Sequence, residues 1–127
     1  MRTICTLYAA MLISFTAAAT EPYTLYCSLS GASYSQIDYG QKSLLRNNFV
    51  DENGVAIYFN SHICAINYMA ERGWKYEGEI TTVSSNIADP KRIDSSTKLI
   101  FSKSITSKEE ITEGLLTRQI YLEQTTK

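Results

Sequence analysis

The sequence is poor in the side chains that most enzymes use. Its 127 residues include one histidine, His62, and three cysteines, Cys5, Cys27 and Cys64. A nucleophile, base and acid arranged for acyl transfer would thus have a single candidate base. Cys64 lies two positions beyond His62, a separation that points two helical side chains in different directions. The six glycines stand singly, so there is no glycine-rich loop to cradle a phosphate. Twelve basic residues face thirteen acidic ones, for a formal net charge of −1. With no basic patch or acidic tail, the electrostatic basis for binding nucleic acid or an anionic membrane surface is missing. No internal repeat or low-complexity linker is present.

The one sustained apolar run lies at the start of the chain. It follows Arg2, passes through Leu7, Met11, Leu12, Ile13 and Phe15, and ends in the small residues Ala17, Ala18, Ala19 and Thr20. That order of basic start, apolar middle and small-residue end predicts a secretory signal peptide over residues 1–20. The run is thinned by Thr3, Thr6, Ser14 and Thr16, so it spans about 30 Å of hydrocarbon poorly. Neither Cys5 nor Cys27, which follows the bulky Tyr26, is placed for a lipid anchor. The expectation is a secreted or periplasmic protein without a membrane span after cleavage, with residues 21–127 forming one domain.

Two cysteines remain in that domain, in a compartment that permits disulfides. A Cys27–Cys64 bridge would close a long loop and contribute about 3–4 kcal/mol; two buried thiols are the alternative. With His62 they make an incomplete zinc set, so no metal or other cofactor is expected.

Tyr23 to Leu29 alternates, with Tyr23, Leu25, Cys27 and Leu29 on one side, and predicts a first strand with Cys27 inward. Ser30 to Ser33 supplies a turn, and Tyr34 to Tyr39 reads as a second, antiparallel strand. Phe49-Val50 and Val55 to Phe59 flank Asp51-Glu52-Asn53-Gly54 and predict another hairpin. Asp51 and Asn53 also resemble part of a calcium loop, but the other ligands are missing at the needed spacing. Ser61 is an N-cap for a helix running to Arg72, with Ile63, Ala65, Ile66, Met69 and Ala70 at helical spacing. Gly73 is its left-handed stop. Trp74 to Val83 then alternates as a strand with Trp74, Tyr76, Gly78 and Ile80 on one side. Ser84 to Ser96 reads as a loop around Asp89-Pro90, and Thr97 to Ile105 as a strand. Ser107 and Glu110 make a capping box for a short helix to about Leu116. Residues 117–127 either add a strand around Gln119 to Leu122 or fray. Together these elements predict an α+β domain, an antiparallel sheet of four to six strands packed by the main Ser61 to Arg72 helix plus a short C-terminal helix.

The run Ala65-Ile66-Asn67-Tyr68-Met69-Ala70-Glu71-Arg72-Gly73-Trp74-Lys75-Tyr76 resembles a motif of small secreted bacterial proteins that form a domain of unknown function. In that motif a helix ends in Gly-Trp and passes directly into a strand. The resemblance implies structural roles for Gly73, which ends the helix, and Trp74, which plugs the helix–sheet core. It implies no catalytic residue.

The carboxylates Asp38, Asp51, Glu71, Glu77 and Glu79 provide pairs of the kind a glycosidase uses, but Glu77 and Glu79 sit on the polar side of an alternating strand and read as a solvated face. No catalytic residue is assigned. What remains is tyrosine, whose flat ring gives contact area at low entropic cost. Tyrosines also fill cores and shield sheets. If there is a binding face, Tyr26, Tyr39 and Tyr58 are its candidates, for a protein or glycan partner. The expected role is a small non-enzymatic binding or interaction module. A structural accessory of a secreted assembly and a small hydrolase are the alternatives.

Overall fold

A computed structural model describes residues 21–126 except 86; the signal peptide expected over residues 1–20 lies outside the described residues. Among the described residues, four strands and two α-helices follow in the order β1 (Tyr23–Ser30), β2 (Gln36–Asp38), α1 (His62–Ala70), β3 (Lys75–Ser85), β4 (Ile93–Ile105) and α2 (Arg118–Thr125). The strands form one antiparallel sheet in the order β2-β1-β4-β3. The architecture is α+β, with four strands.

The alternation in β1 does what it predicts. Cys27 pairs with Phe101 and Leu29 with Leu99 across β1 and β4, and all four are buried. Ile37 of β2, Ala65 and Met69 of α1, and Trp74, Phe49 and Leu115 complete the core. Phe49, Phe59 and Tyr68 contribute rings whose centroids lie 5.0 to 6.1 Å apart, within the range of favourable edge and tilted contacts.

The main helix has both expected ends. The Ser61 hydroxyl accepts from the Cys64 amide at 3.2 Å. At the other end Gly73 has φ +88°, while the Trp74 and Gly73 amides donate to the Met69 and Ala70 carbonyls. These two bonds satisfy carbonyls that the last helical turn would leave open, and they turn the chain straight into β3.

The predicted second hairpin is a tight turn without strand-length pairing. Its ladder is reduced to a bridge between Val50 and Ala56, with the Ile57 amide donating to the Phe49 carbonyl. The Asp51 carboxylate accepts from the Asn53 and Val55 amides, each at 2.9 Å, so it closes the turn on itself.

Three expectations about the second half of the chain are corrected. The loop expected from Ser84 to Ser96 is shorter than that at both ends, because β3 runs to Ser85 and β4 begins at Ile93. Uncharged β-branched and hydroxyl residues pair well without a buried side, so apolar periodicity never marks them. The simple alternation of Trp74 to Val83 is broken by a bulge: Tyr76 pairs with Phe101, but Ile100 pairs with Gly78. Glu77 is the extra residue, and Gly78 takes φ +144°, a conformation that suits glycine. Tyr76 therefore faces the core side with Phe101, whereas Ile80 falls on the opposite face, and Glu77 accepts from the Ser102 hydroxyl at 2.6 Å rather than lying idle on a solvated face.

Arg118–Thr125 is a helix, neither the strand nor the frayed tail expected there. After a single 3-10 turn at Lys108–Glu110, in place of the expected helix to Leu116, the backbone meets the 46–50 segment. The Val50 amide donates to the Leu116 carbonyl, and the Arg118 and Gln119 amides donate to Asn48 and Arg46. Thr117 then caps α2, accepting from the Ile120 amide. Thr106 and then Ser107 donate their amides to the Glu110 carboxylate, which hold it below its usual pKa.

Candidate binding face

Helix α1 and the 47–59 segment supply the core opposite the inward side chains of the sheet. The other face carries the even-numbered residues of β1 and β4. Tyr26 pairs with Ser102 and Ser28 with Ile100, while Ser28 also pairs with Asp38 of β2. Small neighbours around Ile100, namely Ser28 on one side and Gly78 on the other, leave the surface low there. The result is an open cleft of about 290 Å³ lined by Tyr26, Cys27, Ser28, Asp38, Tyr39, Gly40 and Ile100.

Its two tyrosines are held differently. Tyr26 is 60 % exposed, a flat ring standing on the sheet. Tyr39 is half-buried, packed against the edge of the core. Burial, and secondarily the Glu123 carboxylate, raise its hydroxyl above the usual value, so it stays a neutral donor throughout the physiological range. Asp38 accepts from the Gly40 amide at 2.9 Å, and Gln41 accepts from the Tyr39 amide at 2.8 Å. These bonds fix the turn that carries Tyr39. At Gly40, φ +90°, an added Cβ would meet nothing within 4 Å; its glycine serves the backbone angle and not a close contact.

The structure thus brings together two of the three predicted tyrosines. Tyr58 is 71 % exposed but lies in the segment leading into α1 and does not line this cleft. Ser28, Asp38 and Ile100 join the site unannounced. The β1 alternation signalled Ser28, since it shares the outward side with Tyr26, but only strand order places Ile100 and Asp38 beside it.

A second cleft of about 310 Å³ lies between the Asp51 turn, Tyr68, Arg72 and Gly114. Here the guanidinium is already engaged. It lies 3.5 Å from the Tyr68 ring centroid and donates from Nε to the Gly114 carbonyl and from Nη1 to the Tyr68 carbonyl, at 2.7 and 2.8 Å. Arg72 is a clasp between α1 and the 112–116 segment, with its charge spread over an aromatic face and two carbonyls.

Of the two alternatives for the cysteines, the Cys27–Cys64 bridge is absent, and of the two free thiols Cys27 is buried but Cys64 is exposed. The reason is directional: β1 sends Cys27 into the core, while on α1 it is Ala65 and Met69 that turn inward and Cys64 that is exposed. Burial, with a smaller contribution from Asp38, pushes the Cys27 thiol up to about 12, so it is a neutral packing group and not a nucleophile. Of these two thiols, only Cys64 is expected to take up a thiol label in the native protein at neutral pH, Cys27 following after denaturation; peptide mapping distinguishes them. The same shift has a sign for stability. Cys27 keeps its proton in the folded state to about pH 12 but loses it near 9.0 when unfolded. Its contribution is full below pH 9.0 and declines as pH rises toward 12.

Among the described residues no group of three or more His, Cys, Asp or Glu side chains is placed to hold a metal ion. No helix among them is long and apolar enough to cross a membrane. No family model matches the chain, and no curated protein or solved structure matches it.

Proposed function

We propose that this chain is a non-enzymatic binding module, exported to the periplasm or extracellular space on residues 1–20, and that it holds a glycan against the Tyr26 face of its sheet. The observation that supports this reading is the pairing of an exposed ring, Tyr26, with a half-buried one, Tyr39, across an open cleft edged by Ser28 and Asp38. A flat exposed ring on a rigid sheet gives contact area at little entropic cost, and hydroxyl and carboxylate groups beside it suit the hydroxyls of a sugar. Binding without chemistry is favoured because the carboxylates have other work: Asp38 and Asp51 close turns and Glu77 holds Ser102.

The test is amide NMR of the exported protein, whose intact mass should begin near Glu21, titrated with soluble chito-, cello- and peptidoglycan-derived oligosaccharides. Resonances of Tyr26, Ser28, Tyr39 and Ile100 should move together with one of these sugars. Tyr26→Ala should weaken that binding by about tenfold or more, the loss typical of an aromatic anchor, with the rest of the spectrum unchanged. Shifts centred elsewhere, or no response to any of the three sugar classes, would overturn the glycan reading.

A further inference from the structure

Beyond Gly78 the last two strands leave the body of the domain as a ribbon. Every β3 residue from Glu79 to Ser85 is exposed. The ribbon's apolar side chains Ile80, Val83, Ile87 and Ile93 are 56, 64, 99 and 67 % exposed. A two-stranded ribbon without a hydrophobic cover is marginal by itself in water. The two edges of the sheet are also treated differently. At the β2 edge the 47–49 segment covers the strand, with the Ile37 amide donating to Asn47 and the Phe49 amide to Ser35. At the β3 edge, protection is confined to the inner half, where Lys75, Glu77, Glu79 and the bulge at Glu77 stand. Charges and bulges are what keep an edge from pairing. From Ile80 to Ser85 the sequence Ile-Thr-Thr-Val-Ser-Ser has neither.

We propose that the outer half of β3 pairs antiparallel with the same segment of a second copy, making one continuous eight-stranded sheet across a two-fold axis at Thr82. The register follows from charge and face. A two-fold pairing within one sheet sets residues of the same face opposite each other. Centring on Glu79 opposes two carboxylates, and centring on Thr81 sets Glu79 against Val83. Centring on Thr82 pairs Ile80 with Ser84, Thr81 with Val83, Glu79 with Ser85 and Thr82 with itself. That register uses the whole uncharged run, adds β-branched and hydroxyl pairs of the kind that stabilise sheets, and opposes no like charges. Seven paired residues per copy bury much less than the roughly 800 Å² per partner of a standard interface, so the dimer is weak, with a dissociation constant on the order of micromolar or above. This surface lies away from the Tyr26 cleft, and the proposal does not depend on the glycan reading.

Sedimentation equilibrium under reducing conditions, which keep Cys64 from bridging copies, tests it. The exported protein should show a concentration-dependent monomer–dimer equilibrium. Thr82→Lys and Thr82→Glu should each raise the dissociation constant about tenfold by opposing like charges, and an equimolar mixture of the two should recover dimer as the lysine–glutamate heterodimer. Tyr26→Ala should leave the equilibrium unchanged. A wild-type protein still monomeric near 1 mM, a dimer indifferent to both Thr82 variants, or variants not rescued by mixing would overturn the proposal.

Discussion

Phe101→Ala should destabilise the domain by about 3–5 kcal/mol, the usual cost of emptying a large aromatic site in a core that cannot collapse around it. Phe101 is fully buried near the centre of the sheet. It pairs with Cys27 on one side and Tyr76 on the other, its ring 5.6 Å from that of Tyr76. Strands on both sides hold the backbone, so the cavity has little means of closing. In urea the midpoint should fall sharply while the slope stays constant, since small domains have only about 5–15 kcal/mol in all. Tyr26→Ala one residue before Cys27 changes the opposite face and should move the midpoint little. A loss below about 1 kcal/mol for Phe101→Ala would mean that the core is not packed against this face of β4.

Trp74 carries the second large effect, and two substitutions divide it. The indole is 2 % exposed, packed in the core at the point where α1 passes into β3. Its Nε1 donor has no hydrogen-bond partner. Lys103 lies over the ring with Nζ 5.8 Å from the centroid and donates to the Glu110 carbonyl at 2.9 Å. Trp74→Ala removes the whole ring and should cost about 3–5 kcal/mol. Trp74→Phe leaves a smaller void and removes a buried donor that is costly to leave unpaired. The two effects oppose each other, and the net change should be within about 1 kcal/mol of zero. Equilibrium unfolding of both variants checks this. A Phe variant as unstable as the Ala variant would show that the indole nitrogen has a structural partner after all.

These effects also mark where the sequence was readable. Helix α1 was legible at both ends because its signals are local: Ser61 supplies an acceptor three residues from Cys64, and Gly73 supplies a positive φ. The turn at Asp51 to Gly54 was legible for the same reason, with Asp51 bonding amides two and four residues away. The inward side of β1 followed from strict alternation against a hydrophobic core. The bulge at Glu77 was not legible, because an extra residue appears only when the partner strand is in place to be miscounted. Helix α2 was missed because it is anchored through its start, by backbone bonds from Arg118 and Gln119 to a loop some seventy residues earlier. Only the outer end of the ribbon, Ser84-Ser85 and Ile93 to Ser96, was missed, because exposed residues there carry no burial signal.

The candidate site divides the same way. Its tyrosines were visible as residue types, and Tyr26 as an outward position, but Tyr58 was grouped with them only as a tyrosine on a predicted strand. Asp38 and Ile100 could not be placed beside Tyr26 until the order β2-β1-β4 was known. The two cysteines failed as a pair for a related reason, since spacing along the chain says nothing about the directions of two thiols.

By itself, then, the sequence determined the local features of this protein: its α+β character, the caps of its main helix, its tight turns and the buried side of its first strand. Each rests on backbone preferences and periodicities that act over a few residues. Only the tertiary structure decided which strands are neighbours, where the bulge reverses a face, that Arg118–Thr125 forms a docked helix, and that an open cleft and an unguarded edge lie on separate parts of the sheet. Those depend on pairing between segments far apart in sequence, where packing and strand register select among arrangements that local preferences leave equal.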